Sequence, residues 1–364
     1  MTGRVVLLGA TGYTGGLVLD SLRHRGIEPV LAGRNRDSLR AIADRHGGLD
    51  HALVDVTDPV GVATLVRRGD ILISTVGPFE RFGHAVAAAA ADVGAHYIDT
   101  TGEVGFVLEL RRRLHDRARE TGSLMLPAFG YDYVPGILAG TLAAHEAGAA
   151  ARAVDIGYFA SGPLWRGLSQ GTRTTMRDGL TLPAPRWRDH HLTEERTAAE
   201  VRKFTVREHR KNAFLVSGTE VLFLPAEFPL LDAVSVYNGW FPALSRPITV
   251  AAAAAAVTSR FAIGRKLVDR VTRPMIGPAG GPDADRRARI GSHVTAVAYS
   301  GPDVLSEVQV RGPNSYTLTG ELIAWAAQQL TTSAPRAAGV VSPVEAFGFA
   351  TLRDGCAEIG LAPI

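Results

Sequence analysis

Val5-Val6-Leu7-Leu8-Gly9-Ala10-Thr11-Gly12-Tyr13-Thr14-Gly15 decides how this chain is read. Four consecutive apolar residues fit a strand buried on both faces, and residues 13 to 25 repeat apolar side chains at helical spacing. Glycines at the junction let the backbone turn sharply. A helix starting there offers unpaired N–H groups and partial positive charge to a pyrophosphate. The spacing is GxxGxxG, and its place between strand and helix gives it meaning. Gly9, Thr11, Gly12, Tyr13, Thr14 and Gly15 are therefore candidate cofactor contacts; the simpler reading is a plain tight turn.

Outward from this stretch the pattern repeats. Short apolar runs at 4–8, 29–33, 51–54, 70–75, 95–98 and 123–126 predict strands, and helices are expected near 36–46, 59–67, 83–93 and 104–121. Six strands interleaved with helices predict an α/β domain with a doubly wound, Rossmann-type parallel sheet. In such sheets ligands lie at the carboxyl ends of the strands, so the polar residues there are the next candidates. The second strand runs into Ala32-Gly33-Arg34-Asn35-Arg36, with no Asp or Glu to take a ribose 2′-hydroxyl. Arg34 suits a 2′-phosphate instead, which favours NADP(H) over NAD(H); Asn35 is grouped with it, and the plain alternative for Arg34 is a solvated helix start. Asp55 could accept from an adenine amino group or cap a turn. The fourth strand ends in Thr75-Val76-Gly77-Pro78-Phe79, placing rigid backbone beside the cofactor. The fifth ends in His96-Tyr97-Ile98-Asp99-Thr100-Thr101-Gly102-Glu103, from which Gly102 and Glu103 are taken as cofactor candidates, although an acidic residue also suits a helix's first turn.

Composition narrows the function classes. The 364 residues are 46% hydrophobic and 21% charged, as in ordinary globular proteins, and the length suggests two domains. The net charge of +3 is too small for a nucleic-acid-binding surplus, and no recognition motif accompanies it. A lone cysteine, Cys356, rules out an internal disulfide and fits a reducing, cytoplasmic setting. The apolar stretch Pro247 to Ser259 is short for a membrane span and reads as a buried or interfacial helix. No metal site is expected: His190-His191 lacks HExxH spacing. Gly167-Leu168-Ser169-Gln170-Gly171 matches GxSxG, but no buried strand precedes it, so it is read as coincidence. No Tyr has a Lys four residues on, which disfavours short-chain dehydrogenase chemistry.

Beyond residue 139 the alternation stops. A strand at 153–159, a charged Pro-interrupted region from Arg186 to Asn212 and strands at 293–299 and 306–311 predict an α+β second domain. The run Arg202-Lys203 and Arg207-Glu208-His209-Arg210-Lys211 reads as a solvated face, with an anionic carrier or cofactor phosphate as the alternative. Val221-Leu222-Phe223-Leu224-Pro225, Phe228 to Leu231 and Tyr237-Asn238-Gly239-Trp240-Phe241-Pro242 are core, or the wall of an apolar pocket made of segments poorly suited to regular helices.

GATGYTG, AGRN, VGPF with FGHAV, HYIDTTGE and PAFGYDYVPG, in that order, resemble the saccharopine dehydrogenase-like reductases, including the branch similar to bacterial trans-acting enoyl reductases. The resemblance covers about residues 3 to 138 strongly. It continues weakly through Gly171-Thr172-Arg173-Thr174-Thr175 and Gly312-Pro313-Asn314-Ser315-Tyr316-Thr317-Leu318-Thr319. It implies an NADP-binding Rossmann domain over 1–135, a substrate-binding α+β domain over 136–316, and C-terminal helices over 317–364, near 317–332 and 343–360, packing back on the first domain.

The reading is then an NADPH-dependent reductase passing hydride to a polarised C=C or C=N bond of a mainly hydrophobic small molecule, with a carrier-linked substrate or a secondary metabolite among the alternatives. Tyr131, Asp132 and Tyr133 are the catalytic candidates for polarising the acceptor or supplying the proton; a junction turn stiffened by Pro135 is the structural alternative. His84 and Tyr97 are weaker candidates. Competing readings are an imine reductase acting on an amino-acid adduct, an isomerase or cyclase without net redox, and an NADP-sensing regulator. A carrier protein or a homodimer mate are the partners considered.

Overall fold

A computed structural model describes residues 3–164, 167–179, 182–258, 266, 270–277 and 279–364; Ser259, the end of the apolar stretch, lies outside them. The apolar runs of the first third become strands, buried except at the exposed edge strand β3: β1 (Val5–Leu8), β2 (Val30–Gly33), β3 (His51–Leu53), β4 (Ile71–Ser74), β5 (His96–Asp99) and β6 (Leu124–Leu126). Between them lie α1 (Tyr13–His24), α2 (Arg36–Arg45), α3 (Pro59–Ala63), α4 (Phe79–Val93) and α5 (Val104–Thr121). Then come α6 (Val134–Ala147), β7 (Ala153–Ser161), α7 (Gln170–Gly179), β8 (Pro183–Arg188), β9 (His191–Arg196), β10 (Val201–Val206) and β11 (His209–Val216). α8 (Glu220–Glu227), β12 (Ala233–Asn238), α9 (Ser245–Thr258), α10 (Ala284–Ala288), β13 (Gly291–Ser300) and β14 (Asp303–Gly312) follow. The chain closes with α11 (Ser315–Thr332), β15 (Gly339–Val340), α12 (Pro343–Phe347), α13 (Phe349–Glu358) and β16 (Ala362–Pro363).

Two compact units divide these elements. The first comprises Met1–Val134 and Ser315–Ile359, the second Pro135–Asn314 and Gly360–Ile364. In the first unit seven strands form one sheet in the order β15-β6-β5-β4-β1-β2-β3, every pair parallel. This is the doubly wound sheet the sequence predicts, extended by β15. The strand order reverses between β1 and β4, so the crevice for a ligand opens where Gly9 and Thr75 follow those strands. β1 and β4 are buried along their whole length, which is why both read as unbroken apolar runs. Within the same unit Arg25, at the end of α1, reaches Gln328 of α11 and Glu358 of α13, both at 2.8 Å, and Trp325 stacks on Phe129 and meets Phe347 edge-on. The helix expected near 343–360 is two helices, parted at Gly348 with φ 83°. The last five residues belong to the second unit, because β16 pairs with β14.

The second unit is built on a mixed sheet, β10-β11-β12-β7-β13-β14-β16, with β8 on β12 and β9 on β8. The charged region from Arg186 to Asn212 therefore forms strands of two hairpins. Val221 to Pro225, expected to be irregular, are helical in α8 with Pro225 inside it, and Tyr237 is a buried strand residue of β12. Ser169 of the GxSxG match follows a loop and its hydroxyl accepts from Thr172 N at the start of α7, which is helix capping and not a nucleophile elbow. No helix among the described residues is long and apolar enough to cross a membrane, and none of their His, Cys, Asp and Glu side chains form a metal-holding cluster.

Candidate functional site

The site grows from the turn after β1. Gly9 has φ +92°, and a side chain there would lie 2.6 Å from Thr75 Oγ1 and 2.8 Å from Val76 Cγ2. At Gly15 a Cβ would sit 2.1 Å from the carbonyl oxygen of Gly9, where only backbone could yield. These two positions admit glycine for different reasons, conformation at one and close approach of helix to turn at the other. Gly12 N donates to Gly9 O at 2.9 Å, and Thr75 Oγ1 donates to Leu8 O and Gly9 O, stitching the ends of β1 and β4 together. α1 then begins at Tyr13, with Gly12 at its N-cap, no side-chain cap and no acidic residue in its first turn. Its first N–H groups are left for an anion. Thr11 and Gly12 are exposed, and Tyr13 and Thr14 half-buried; the Tyr13 ring meets Tyr316 edge-on at 5.3 Å.

Arg34 stands exposed at the end of β2. Asn35 caps α2, its side chain accepting from Ser38 N at 2.9 Å. Asp55 accepts from the backbone and hydroxyl of Thr57, which together hold its carboxyl below the usual range, helped by the charge of Arg34. Arg34 and Asp55 thus face one region, and Asn35 supports the loop between.

On the other side of the crevice, Val76, Gly77 and Pro78 follow β4, with a cis Gly77–Pro78 bond. Phe79 departs from the expectation of a cofactor contact: it is 4% exposed and packs on Phe106, because α4 begins at residue 79 and not near 83. Glu103 explains that early start. Its carboxylate accepts from Phe79 N at 2.8 Å and Glu80 N at 2.9 Å, capping α4 from another loop. Gly102 lends its carbonyl to the hydroxyl of Tyr133 at 2.9 Å.

Tyr131 and Tyr133 are buried, and Tyr131 N donates to Thr319 Oγ1 of α11 at 3.1 Å. Asp132 lies between them, and burial raises its carboxyl to about 6. His84 sits against Phe106 and within 3.7 Å of Glu80, a helix-surface arrangement. Tyr97 is fully buried and its phenol is pushed well above its ordinary value, first by burial and then by Asp99; that removes it as a proton donor to a ligand. Asp99 is the residue that sequence reasoning passed over. It has no exposed surface, yet its Oδ1 accepts from Ala128 N at 2.8 Å and Thr101 N at 2.9 Å, and its carbonyl accepts from Phe129 N. Burial raises its carboxyl to about 7 against those hydrogen bonds. It anchors the loop that leads to Tyr131. The only local signal was a carboxylate ending a buried strand.

Residues 5–126 match the model of the saccharopine dehydrogenase NADP-binding domain. Residues 5–126 are an NADP-binding domain of the saccharopine dehydrogenase type. This NADP-binding domain fits its cofactor in the features above: an uncapped helix N-terminus, backbone approach guaranteed by Gly15, and an exposed guanidinium where an acidic residue would reject a 2′-phosphate. Residues 279–363 match a family of unknown function. A trans-acting enoyl reductase of Mycobacterium ulcerans is 36% identical over 137 residues, covering 36% of this chain and 33% of that protein. A probable mitochondrial saccharopine dehydrogenase-like oxidoreductase of Arabidopsis thaliana is 35% identical over 146 residues, covering 36% and 32%. The chain thus matches about a third of the length of these curated relatives. Apo saccharopine dehydrogenase (L-Glu forming) from Saccharomyces cerevisiae shares the fold over 100% of this chain and 99% of its own, with TM-score 0.65 at 11% identity.

Proposed function

We propose that the chain is an NADPH-dependent reductase that delivers hydride to a polarised C=C or C=N bond of a mainly hydrophobic small molecule. The observation that carries this reading is the open N-terminus of α1 beside Gly9 and Gly15, with exposed Arg34 across from it. Bound NADPH would supply the hydride, which leaves NADP+ and an anion at the neighbouring atom of the acceptor. The protein's own residues then have three tasks. The α1 N–H groups and Arg34 hold phosphates, with Thr11, Gly12, Tyr13 and Thr14 lining the turn and Asn35 and Asp55 fixing the adenosine end. Val76, Gly77, Pro78 and Gly102 give the crevice a rigid backbone wall. Asp132, whose carboxyl is raised to about 6 and so keeps roughly a tenth of its population protonated at pH 7, supplies the proton to that anion. Tyr131 and Tyr133 shield it from water, both being buried. The second unit is assigned to substrate recognition. The names of the mycobacterial and plant relatives support oxidoreductase chemistry, and the first of them favours an enoyl acceptor.

NADPH oxidation at 340 nm, followed with an enoyl thioester series and an imine series, tests the proposal. Turnover with the thioesters supports the C=C reading, and turnover with imines alone moves the assignment to C=N. NADPH that binds but is oxidised by neither series refutes the reductase. In an active enzyme Asp132→Asn should lower kcat by roughly 100-fold, the usual worth of a positioned acid, with cofactor affinity unchanged.

A further inference from the structure

The basic run of the β10–β11 hairpin is left unused by the reductase reading, and the structure gives it a setting that its sequence did not. The turn Arg207-Glu208 lies over β13 and β14: Thr295 Oγ1 of β13 donates to Thr205 O at 3.0 Å, and Arg207 N donates to Gln309 Oε1 of β14 at 2.7 Å. Cross-strand pairing places His293 beside Arg311, and on its other side beside Phe159. Lys211 pairs with Phe204, whose ring packs edge-on against Phe159 at 5.8 Å. Hairpin and sheet therefore bring Arg207, Lys211 and Arg311 around one buried imidazole.

Two features of this cluster are costly unless something binds there. Three cations converge, and none of them is in an ion pair among the described residues. Glu307, a carboxylate on the same face of β14, is taken by Gln309 Nε2 at 3.5 Å, and Glu208 sits exposed in the turn. At the floor, His293 is 4% exposed and its Nδ1 has no hydrogen-bond partner. An unsatisfied buried ring nitrogen is costly, and it is the donor or acceptor a bound group would use. Burial, then the charges of Arg207, Arg311 and Lys211, hold the imidazole down at about 4, so it stays neutral with one N–H to give.

We propose that this corner of the second unit binds the oxyanion of a soluble phosphate monoester, with Arg207, Lys211 and Arg311 closing on its oxygens and His293 donating from below. Planar guanidiniums and an ammonium around a tetrahedral dianion are the arrangement charge-assisted hydrogen bonding favours. The site is independent of the cofactor crevice and of the reaction assigned to it.

Inorganic phosphate is the probe, read on the full chain through the His293 imidazole nitrogens by NMR, with the signal assigned by its loss in His293→Gln. That signal is local to the second unit and blind to phosphate at the cofactor crevice. Phosphate should shift it saturably and raise the imidazole from about 4 toward the ordinary histidine value, because a bound anion offsets the surrounding positive charge. Arg311→Gln and Lys211→Gln, which change side chains at the rim, should each weaken phosphate by about tenfold or more. An unmoved signal, an equal response to chloride at matched ionic strength, or undiminished binding in both variants overturns the site. So does a response to phosphatidic acid vesicles with none to inorganic phosphate, which would make the ligand a membrane surface.

Discussion

The two units differ in how far their turns depend on glycine. In the first unit the positive-φ positions are glycines at Gly9, Gly26, Gly47, Gly48, Gly69, Gly94, Gly122, Gly339 and Gly348, with Ala128 as the exception among the described residues, and the strands between are mainly apolar. In the second unit glycines at Gly148, Gly162, Gly277, Gly280, Gly301 and Gly360 do the same, but Asp189, His190, Ala198 and Arg207 also take positive φ with side chains attached, in and beside hairpins that carry charged residues. A parallel sheet covered on both faces leaves function to backbone at its carboxyl edge, where glycine lets a ligand approach. An antiparallel hairpin keeps one face for polar groups, so there function falls to side chains such as Arg207 and Lys211.

Substitutions at the turns test that contrast most severely. Gly15→Val should abolish NADPH binding, by more than about 100-fold, and destabilise the first unit by several kcal/mol, since the added carbons meet Gly9 O at a distance no backbone accepts. A titration of NADPH fluorescence and a urea melt read both effects. Retained affinity would show that the turn relaxes and that backbone approach is not what selects glycine.

Next in size is a pH effect confined to the first unit. Asp99 has a folded-state value of about 7 against about 4 unfolded, so its native carboxyl holds its proton more tightly. Stability from this group is complete below about pH 4 and is lost as pH rises through 7, by up to a few kcal/mol. Asp99→Asn keeps the acceptor for Ala128 and Thr101 and removes the titration. Urea midpoints of the variant should therefore lack this loss between about pH 4 and 7; identical pH profiles would place the proton elsewhere.

Smaller again is the cap between loops. Glu103→Ala removes both acceptors at the start of α4 and should cost about 1–2 kcal/mol in the urea midpoint. The contrast predicts the reverse sign in the second unit: Asp189→Gly, at φ 51°, should be neutral or gain about 0.5 kcal/mol. A marked loss there would mean that the side chain itself holds the hairpin.

The same contrast governs what the sequence could reveal. β1, β2, β4, β5 and β6 were legible because a buried parallel strand reads as a short, mainly apolar run, and the helical spacing between the runs set them apart from buried helix segments; β3, exposed at the sheet edge, followed from the alternation. α4 begins four residues before its expected start because its cap, Glu103, comes from a loop more than 20 residues away. β15 is two residues long and exists only by pairing with β6. The β8–β9 and β10–β11 hairpins carry no Asn-Gly or Asp-Gly signal, so their strands read only as a charged, Pro-interrupted region with a solvated face. In the crevice, the glycine turn and Arg34 could be placed from spacing alone. Phe79 could not be told from a ligand contact, since its burial depends on Phe106, and Asp99 acts on Ala128 through a fold the local sequence does not encode.

The most direct test of the account is the affinity ratio of NADPH to NADH, measured by fluorescence titration for the native chain and for Arg34→Gln. A 2′-phosphate held by Arg34 predicts a preference for NADPH of roughly 10- to 100-fold that falls to near unity in the variant, with NADH affinity unchanged. Equal affinities in the native chain, or a preference that survives the loss of Arg34, would contradict it.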